Sequence, residues 1–212
     1  MAAFLGNLRA VAWTGLALAI AFFLAYALGA QRRSLDDVAL WEALLRWAHV
    51  ASGVMWIGLL YYFNFVQLPN AGKMPEEARA ALGQVISPAA LFWFRWAAMA
   101  TLVVGLALAA LKGYLLPAYA LGLVGVEGAG AFDVNFCRFI GAGMWLATIM
   151  WFNVWFVIWP NQRRALNIGG AFPDLDAAAK AAAGKTAMLF SRINTLLSLP
   201  MLVAMTGAQT LG

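Results

Sequence analysis

The chain contains one histidine, His49, inside the apolar stretch WEALLRWAHVASGVMWIGLLYYFNFVQLP that runs from Trp41 to Pro69. An imidazole in a run long enough to cross a bilayer has three readings. It ligates the iron of a haem or chlorin, it carries protons beside a quinone or another substrate, or it hydrogen-bonds across helices. On a helix turning about 100° per residue, Glu42, Arg46, Gly53, Trp56 and Gln67 fall near the His49 stripe, with Asn64 at its margin. Gly53, one turn on, removes bulk where a flat ring could lie. His49, Gly53 and Trp56 are therefore the candidate cofactor site, with His49 the candidate metal ligand and haem b the candidate cofactor. Glu42 and Arg46 have the i,i+4 spacing of a snorkelling ion pair. A second histidine is absent, so bis-histidine ligation within the chain is excluded. A six-coordinate iron would take a methionine, a partner subunit or water, although methionines in such a chain are mostly core filler.

A second set of polar groups comes from three other apolar stretches: Arg95 in LFWFRWAAM, Asn153 in WFNVWF, and Arg192 with Asn194 in SRINTLLSLP. A guanidinium is costly in hydrocarbon, so Arg95 should face a partner, a water-filled cavity or an anion. Together these four form a candidate site for a carboxylate, propionate or planar polar substrate. The plainer reading is hydrogen bonding between helices. Asn194, Ser198 and Met201 share a helical face, and Pro200 frees a backbone carbonyl near them. No residue is identified as catalytic. The sequence has no Gly-rich phosphate loop, no HExxH, no metal-binding cluster of His and Cys, and no credible acid beside His49. These absences argue against the hydrolase and nucleotide-binding classes. Cys137 is the sole cysteine, which rules out an internal disulfide and a CxxCH-attached haem.

The elements that must position these groups are membrane helices. The chain is 64% hydrophobic and 11% charged, with a mean hydropathy of +0.79, against roughly 25% charged residues in a soluble domain. An all-α, polytopic transmembrane bundle in a single membrane domain, 1–212, follows. Five stretches reach the ~20 apolar residues that a span needs: 10–30, 40–66, 88–111, 138–159 and 187–209. The first is longer than a signal-peptide core of about 7–15 residues and is expected to stay as a helix. Polar connections include a short surface helix opened by Pro75, Glu76 and Glu77, then Ser87-Pro88 as the N-cap of the third span. A second surface helix is expected in the alanine-rich PDLDAAAKAAAGK. Residues 113–133 are apolar but too short and glycine-rich to cross, and read as an interfacial or re-entrant loop.

Trp151, Trp155 and Trp159 recur at i, i+4 and i+8, as an interfacial belt or, less simply, as the lining of a ring-shaped cofactor. Gly143 and Ala147 form a small-xxx-small pair for close helix approach. Lys and Arg are more frequent in the N-terminus and in the second and fourth loops. This puts the N-terminus in the cytoplasm and the C-terminus in the periplasm. The net charge of +5 is spread over short loops without interleaved aromatics, which points to lipid rather than nucleic acid.

Four blocks in order, HVASGVMWIGLLYYFNFVQLP, ISPAALFWFRWAAMATLVVGLAL, GAGMWLATIMWFNVWFVIWPNQRRAL and SRINTLLSLPMLVAM, resemble the membrane domain of PuuD-type urate hydroxylases. This bacterial family is also described by its urate oxidase N-terminal domain, and the resemblance covers roughly residues 40–205. It implies a polytopic inner-membrane domain linked to oxidation of urate to 5-hydroxyisourate, with electrons passing to cytochrome c. His49 matches the histidine-plus-tryptophan block, and Arg95, Asn153, Arg192 and Asn194 match the other polar positions. Family members carry a C-terminal cytochrome c domain, whereas no CxxCH occurs here. The resemblance therefore implies a short form that hands electrons to a separate cytochrome or to other membrane subunits. The competing class is a non-catalytic accessory subunit packed against a larger respiratory or photosynthetic complex.

Overall fold

The computed structural model describes residues 2–125 and 132–211. Five helices are long and apolar enough to cross a membrane, and no strand occurs among the described residues. They are α1 (Leu8–Ala30), α2 (Val38–Ala71), α3 (Glu76–Leu111), α5 (Val134–Leu166) and α6 (Ala177–Leu211). A short α4, Leu115–Tyr119, lies between α3 and α5. The all-α membrane architecture is the one the apolar runs predict.

The chain divides into two compact units, Met1–Leu44 and Leu45–Gly212. In the first, the Asn7 side chain accepts from the Ala10 amide at 3.2 Å and so caps α1. After Arg9 the residues of α1 are predominantly apolar on every face. The following turn is held by an Arg33–Asp37 ion pair at 2.8 Å. Asp37 also accepts from the Ala39 amide at 2.9 Å and caps the start of α2. Arg33 and the Ala39 amide hold the Asp37 carboxyl below the usual carboxylate range.

The second unit is built from the rest of α2 with α3, α5 and α6. Its main core is formed by Trp56, Leu60, Phe94, Ala98, Met150, Val154 and Ala187. Gly143 lets α5 and α6 approach closely, because a Cβ there would lie 3.0 Å from the Ala204 Cβ. That contact is what the Gly143/Ala147 spacing predicts.

Two predicted boundaries differ. The surface helix at residues 75–84 and the third span are one helix, α3, and Ser87 is no cap. The residue before it, Ile86, is already helical (φ −76°, ψ −47°), and the Ser87 hydroxyl accepts from Gln67 Nε2 at 3.0 Å. The alanine-rich segment likewise runs unbroken into the last span as α6. Helices of 33 to 36 residues reach about 50 Å, well beyond the ~30 Å hydrocarbon core. The surplus carries Glu76, Glu77, Arg79, Arg163, Arg164, Lys180 and Lys185, all at the same end of the unit.

Three of these helices pass a proline by the same device. Pro69, Pro88 and Pro160 each follow a π-helical turn, at Tyr62–Gln67, Leu82–Ile86 and Asn153–Ile158. The amides of Leu68, Ser87 and Trp159 donate five residues back, to Phe63, Leu82 and Val154. A proline ring collides with the carbonyl four residues before it and offers no N–H. Widening the preceding turn displaces that carbonyl, so the helix continues instead of ending.

The described part of 113–133 packs against α5. Tyr114 and Ala118 are buried against Phe136, Cys137 and Ile140 of α5. The Ala118 carbonyl presses on Gly141, where any Cβ would collide with it. Tyr119 Oη lies 2.8 Å from Thr148 Oγ1, well inside α5, and Trp145 Nε1 donates to the Tyr119 carbonyl at 2.9 Å. Gly128 and Gly130 of this segment lie outside the described residues.

Candidate functional site

His49 stands in α2 opposite α3. Its Nδ1 donates to the Thr101 carbonyl at 2.9 Å. A carbonyl only accepts, so this bond places the proton of the neutral ring on Nδ1 and leaves Nε2 with a lone pair. No group among the described residues bonds Nε2. The ring lies on Gly105, where a Cβ would fall 2.7 Å from Cε1 and 2.8 Å from Nδ1. Glycine is thus required at 105 for the imidazole to reach Thr101. Thr101 is itself held by its hydroxyl, which donates to the Ala97 carbonyl at 2.7 Å.

His49 lines a cavity of about 710 Å³ between α2, α3, α5 and α6, within the 300–1,000 Å³ typical of small-molecule and cofactor sites. Its walls are apolar: Val54, Ile57, Leu102, Leu106, Met144, Met201 and Met205. Arg46 in the third turn of α2, Lys112 just after α3 and Gln209 near the end of α6 line one end of it. Tyr61 lies at the other, about 22 Å along α2 from Arg46. Tyr114, just before α4, and Tyr119, at its end, complete the wall. Gly53 and Trp56 also line the cavity, as the His49 stripe predicts. Gly53 faces it without crowding, since its nearest neighbour would be Thr101 Cγ2 at 3.8 Å. Trp56 is 1% exposed, and its Nε1 has no hydrogen-bond partner.

Below this cavity the polar residues bind one another. Tyr61 Oη meets Ser198 Oγ at 2.9 Å, and Ser198 already donates to the Thr195 carbonyl, so Tyr61 is the donor. Asn64 Nδ2 donates to Ser191 Oγ at 2.8 Å and Gln67 Nε2 to Ser87 Oγ at 3.0 Å. Asn153 Nδ2 donates to Asn194 Oδ1 at 2.8 Å, and Asn194 Nδ2 donates to the Met150 carbonyl at 2.9 Å. Asn153 and Asn194 are thus brought together, as a clamp between α5 and α6.

Arg95 and Arg192 are not part of that clamp. Arg192 is exposed on α6. Arg95 packs on aromatic faces, its guanidinium carbon 3.7 Å from the Trp159 ring centre and 5.1 Å from that of Trp155. The tryptophans at 155 and 159 therefore bracket an arginine.

Sequence reasoning missed Thr101, Gly105, Lys112 and Gln209. Gly105 sits in an ordinary apolar helix, LVVGLAL, and nothing local distinguishes it from other membrane-helix glycines.

The fold and this site define a polytopic helical membrane protein with a cofactor-sized cavity open to one histidine nitrogen. Residues 132–209 match the family described as urate oxidase N-terminal. Over that stretch the match bears out the resemblance read from the sequence blocks. It includes Asn153, Arg192 and Asn194, whereas His49 and Arg95 lie before it. No curated protein and no solved structure matches the chain.

Proposed function

We propose that the second unit binds haem b in the His49 cavity and serves a redox system of the bacterial inner membrane. The observation that carries this reading is the bond from His49 Nδ1 to the Thr101 carbonyl. It fixes the tautomer in which Nε2 keeps its lone pair, as holding iron would require, and the backbone carbonyl orients the ring. His49 would hold the iron, and Arg46 and Lys112 at the cavity end would face the carboxylates of the macrocycle. Met144, Met201 and Met205 are the thioethers along the same walls. Bound haem supplies one-electron transfer. The protein's part is to orient the imidazole, exclude water by apolar packing and neutralise the acidic edge.

The family match supports a link to urate. The overall conversion takes urate and water to 5-hydroxyisourate, two protons and two electrons, and a separate cytochrome c would take the electrons one at a time. With the N-terminus in the cytoplasm, the Arg46 end of the cavity faces the periplasm, where such a cytochrome would dock.

An absorption spectrum of the purified full chain tests the reading. A Soret band is expected, lost in His49→Ala and retained in Arg192→Gln. A colourless chain that co-purifies with a larger complex would overturn haem binding in favour of the accessory role. Urate consumption by membranes carrying the chain and a c-type cytochrome tests the substrate separately.

A further inference from the structure

Two guanidiniums share one indole at the end of the second unit away from the cavity mouth. Arg95 lies 3.7 Å from the Trp159 ring centre and Arg163 lies 5.9 Å from it. Arg163 is close enough to Arg95 for their charges to oppose each other. Neither makes an ion pair or hydrogen bond among the described residues. Arg95 Nε is buried without a partner, and its guanidinium as a whole is only partly covered. Cation–π contact with Trp159, Trp155 and Trp96 offsets part of the desolvation but cancels no charge. Two adjacent cations at the edge of the apolar zone, with no carboxylate between them, call for an anion.

We infer that Arg95 and Arg163 bind the phosphate of an anionic phospholipid headgroup, with the Trp159 indole as the platform between them. Planar guanidiniums suit phosphate because their forked N–H groups pair with two of its oxygens. The surroundings favour a lipid over free phosphate. Beside Arg95, Phe92 and Trp96 are exposed, and on α5 Phe152 and Phe156 stack at 4.8 Å and are exposed as well. An acyl chain below the phosphate would lie along these rings. The connection after α5 builds the polar side of the site. Asn167, in the left-handed conformation (φ 48°), ends the helix and accepts from the Phe172 amide at 2.8 Å. Phe172 is thereby held 5.7 Å from the Arg163 guanidinium. This site is independent of the haem reading, shares no residue with the cavity, and stands or falls separately.

The test is native mass spectrometry of the full chain released from detergent, with phosphatidylglycerol, phosphatidylcholine or inorganic phosphate as the probe. Phosphatidylglycerol should be retained in preference to phosphatidylcholine. Arg95→Gln and Arg163→Gln should each weaken its retention about fivefold, and Arg192→Gln should leave it unchanged. Arg163→Gln changes a half-buried residue near the end of α5 and keeps the test valid even if Arg95→Gln fails to fold. Equal retention by wild type and the double variant would overturn the site. Inorganic phosphate binding that is lost in the same variants, without preference for the lipid, would overturn the lipid assignment in favour of a soluble anion.

Discussion

The two ends of the second unit treat polar side chains in opposite ways. Towards Asn153 and Asn194, each amide is tied to a neighbouring helix, and the pair is closed by the Met150 carbonyl. Around His49, one ring nitrogen is tied to Thr101 and the other is left unbonded at an apolar cavity. Both are polar groups in helices that cross the membrane, and by sequence they look alike. The difference is whether the bonds run from helix to helix or leave a ring nitrogen free beside a cavity. A side chain bonded across to the next helix fastens the two. A group with a lone pair left over beside a cofactor-sized space is the one able to bind something.

Substitutions at four positions break or sharpen this contrast. The largest effect is expected from Gly141→Ala, because the new Cβ meets the Ala118 backbone carbonyl and α4 must move. A loss of about 3 kcal/mol in unfolding free energy in detergent is expected, together with loss of the cavity wall that Tyr114 and Tyr119 provide. Asn194→Ala comes next. It leaves the Asn153 side-chain amide unpaired and removes one of the bonds to the Met150 carbonyl, for about 1–2 kcal/mol, and the absorption spectrum should not change. A spectral change there would show that the two ends are not separate.

Gly105→Ala reverses the pattern. The imidazole must leave Thr101, so ligation should fail or its spectrum should shift, at a stability cost of about 1 kcal/mol. If the spectrum of Gly105→Ala matched wild type, the His49–Thr101 bond would not be what presents Nε2. Gly53→Ala adds a methyl at an ordinary contact distance, and its melting temperature should be within error of wild type. It separates occupation of the cavity from displacement of the histidine.

The smallest effect lies in the first unit, at the exposed Arg33–Asp37 pair. The Asp37 carboxyl titrates lower when folded, so its contribution is present above the ordinary aspartate value and lost as pH falls through the lowered one. Faster amide exchange at Ala39 below that pH, with the spectrum intact, is the expected reading.

Much of the fold was legible without coordinates. Apolar length identifies five spans. The Gly143/Ala147 spacing locates a close helix contact. Helix ends were not legible, because proline and serine normally signal a start, as at Ser87-Pro88. Only the observed backbone reveals a π turn that lets the helix run through. The set Arg95, Asn153, Arg192 and Asn194 was found residue by residue, but its grouping depended on which way each side chain pointed.

The sequence by itself determined that this is a membrane bundle with one intramembrane imidazole, since composition and periodicity depend on residue type and spacing alone. Tertiary structure decided what that imidazole can do. The tautomer depends on a carbonyl 52 residues away in another helix, and the room for the ring depends on a glycine beside that carbonyl. Neither relation has a local signal, because each is set by how two helices pack.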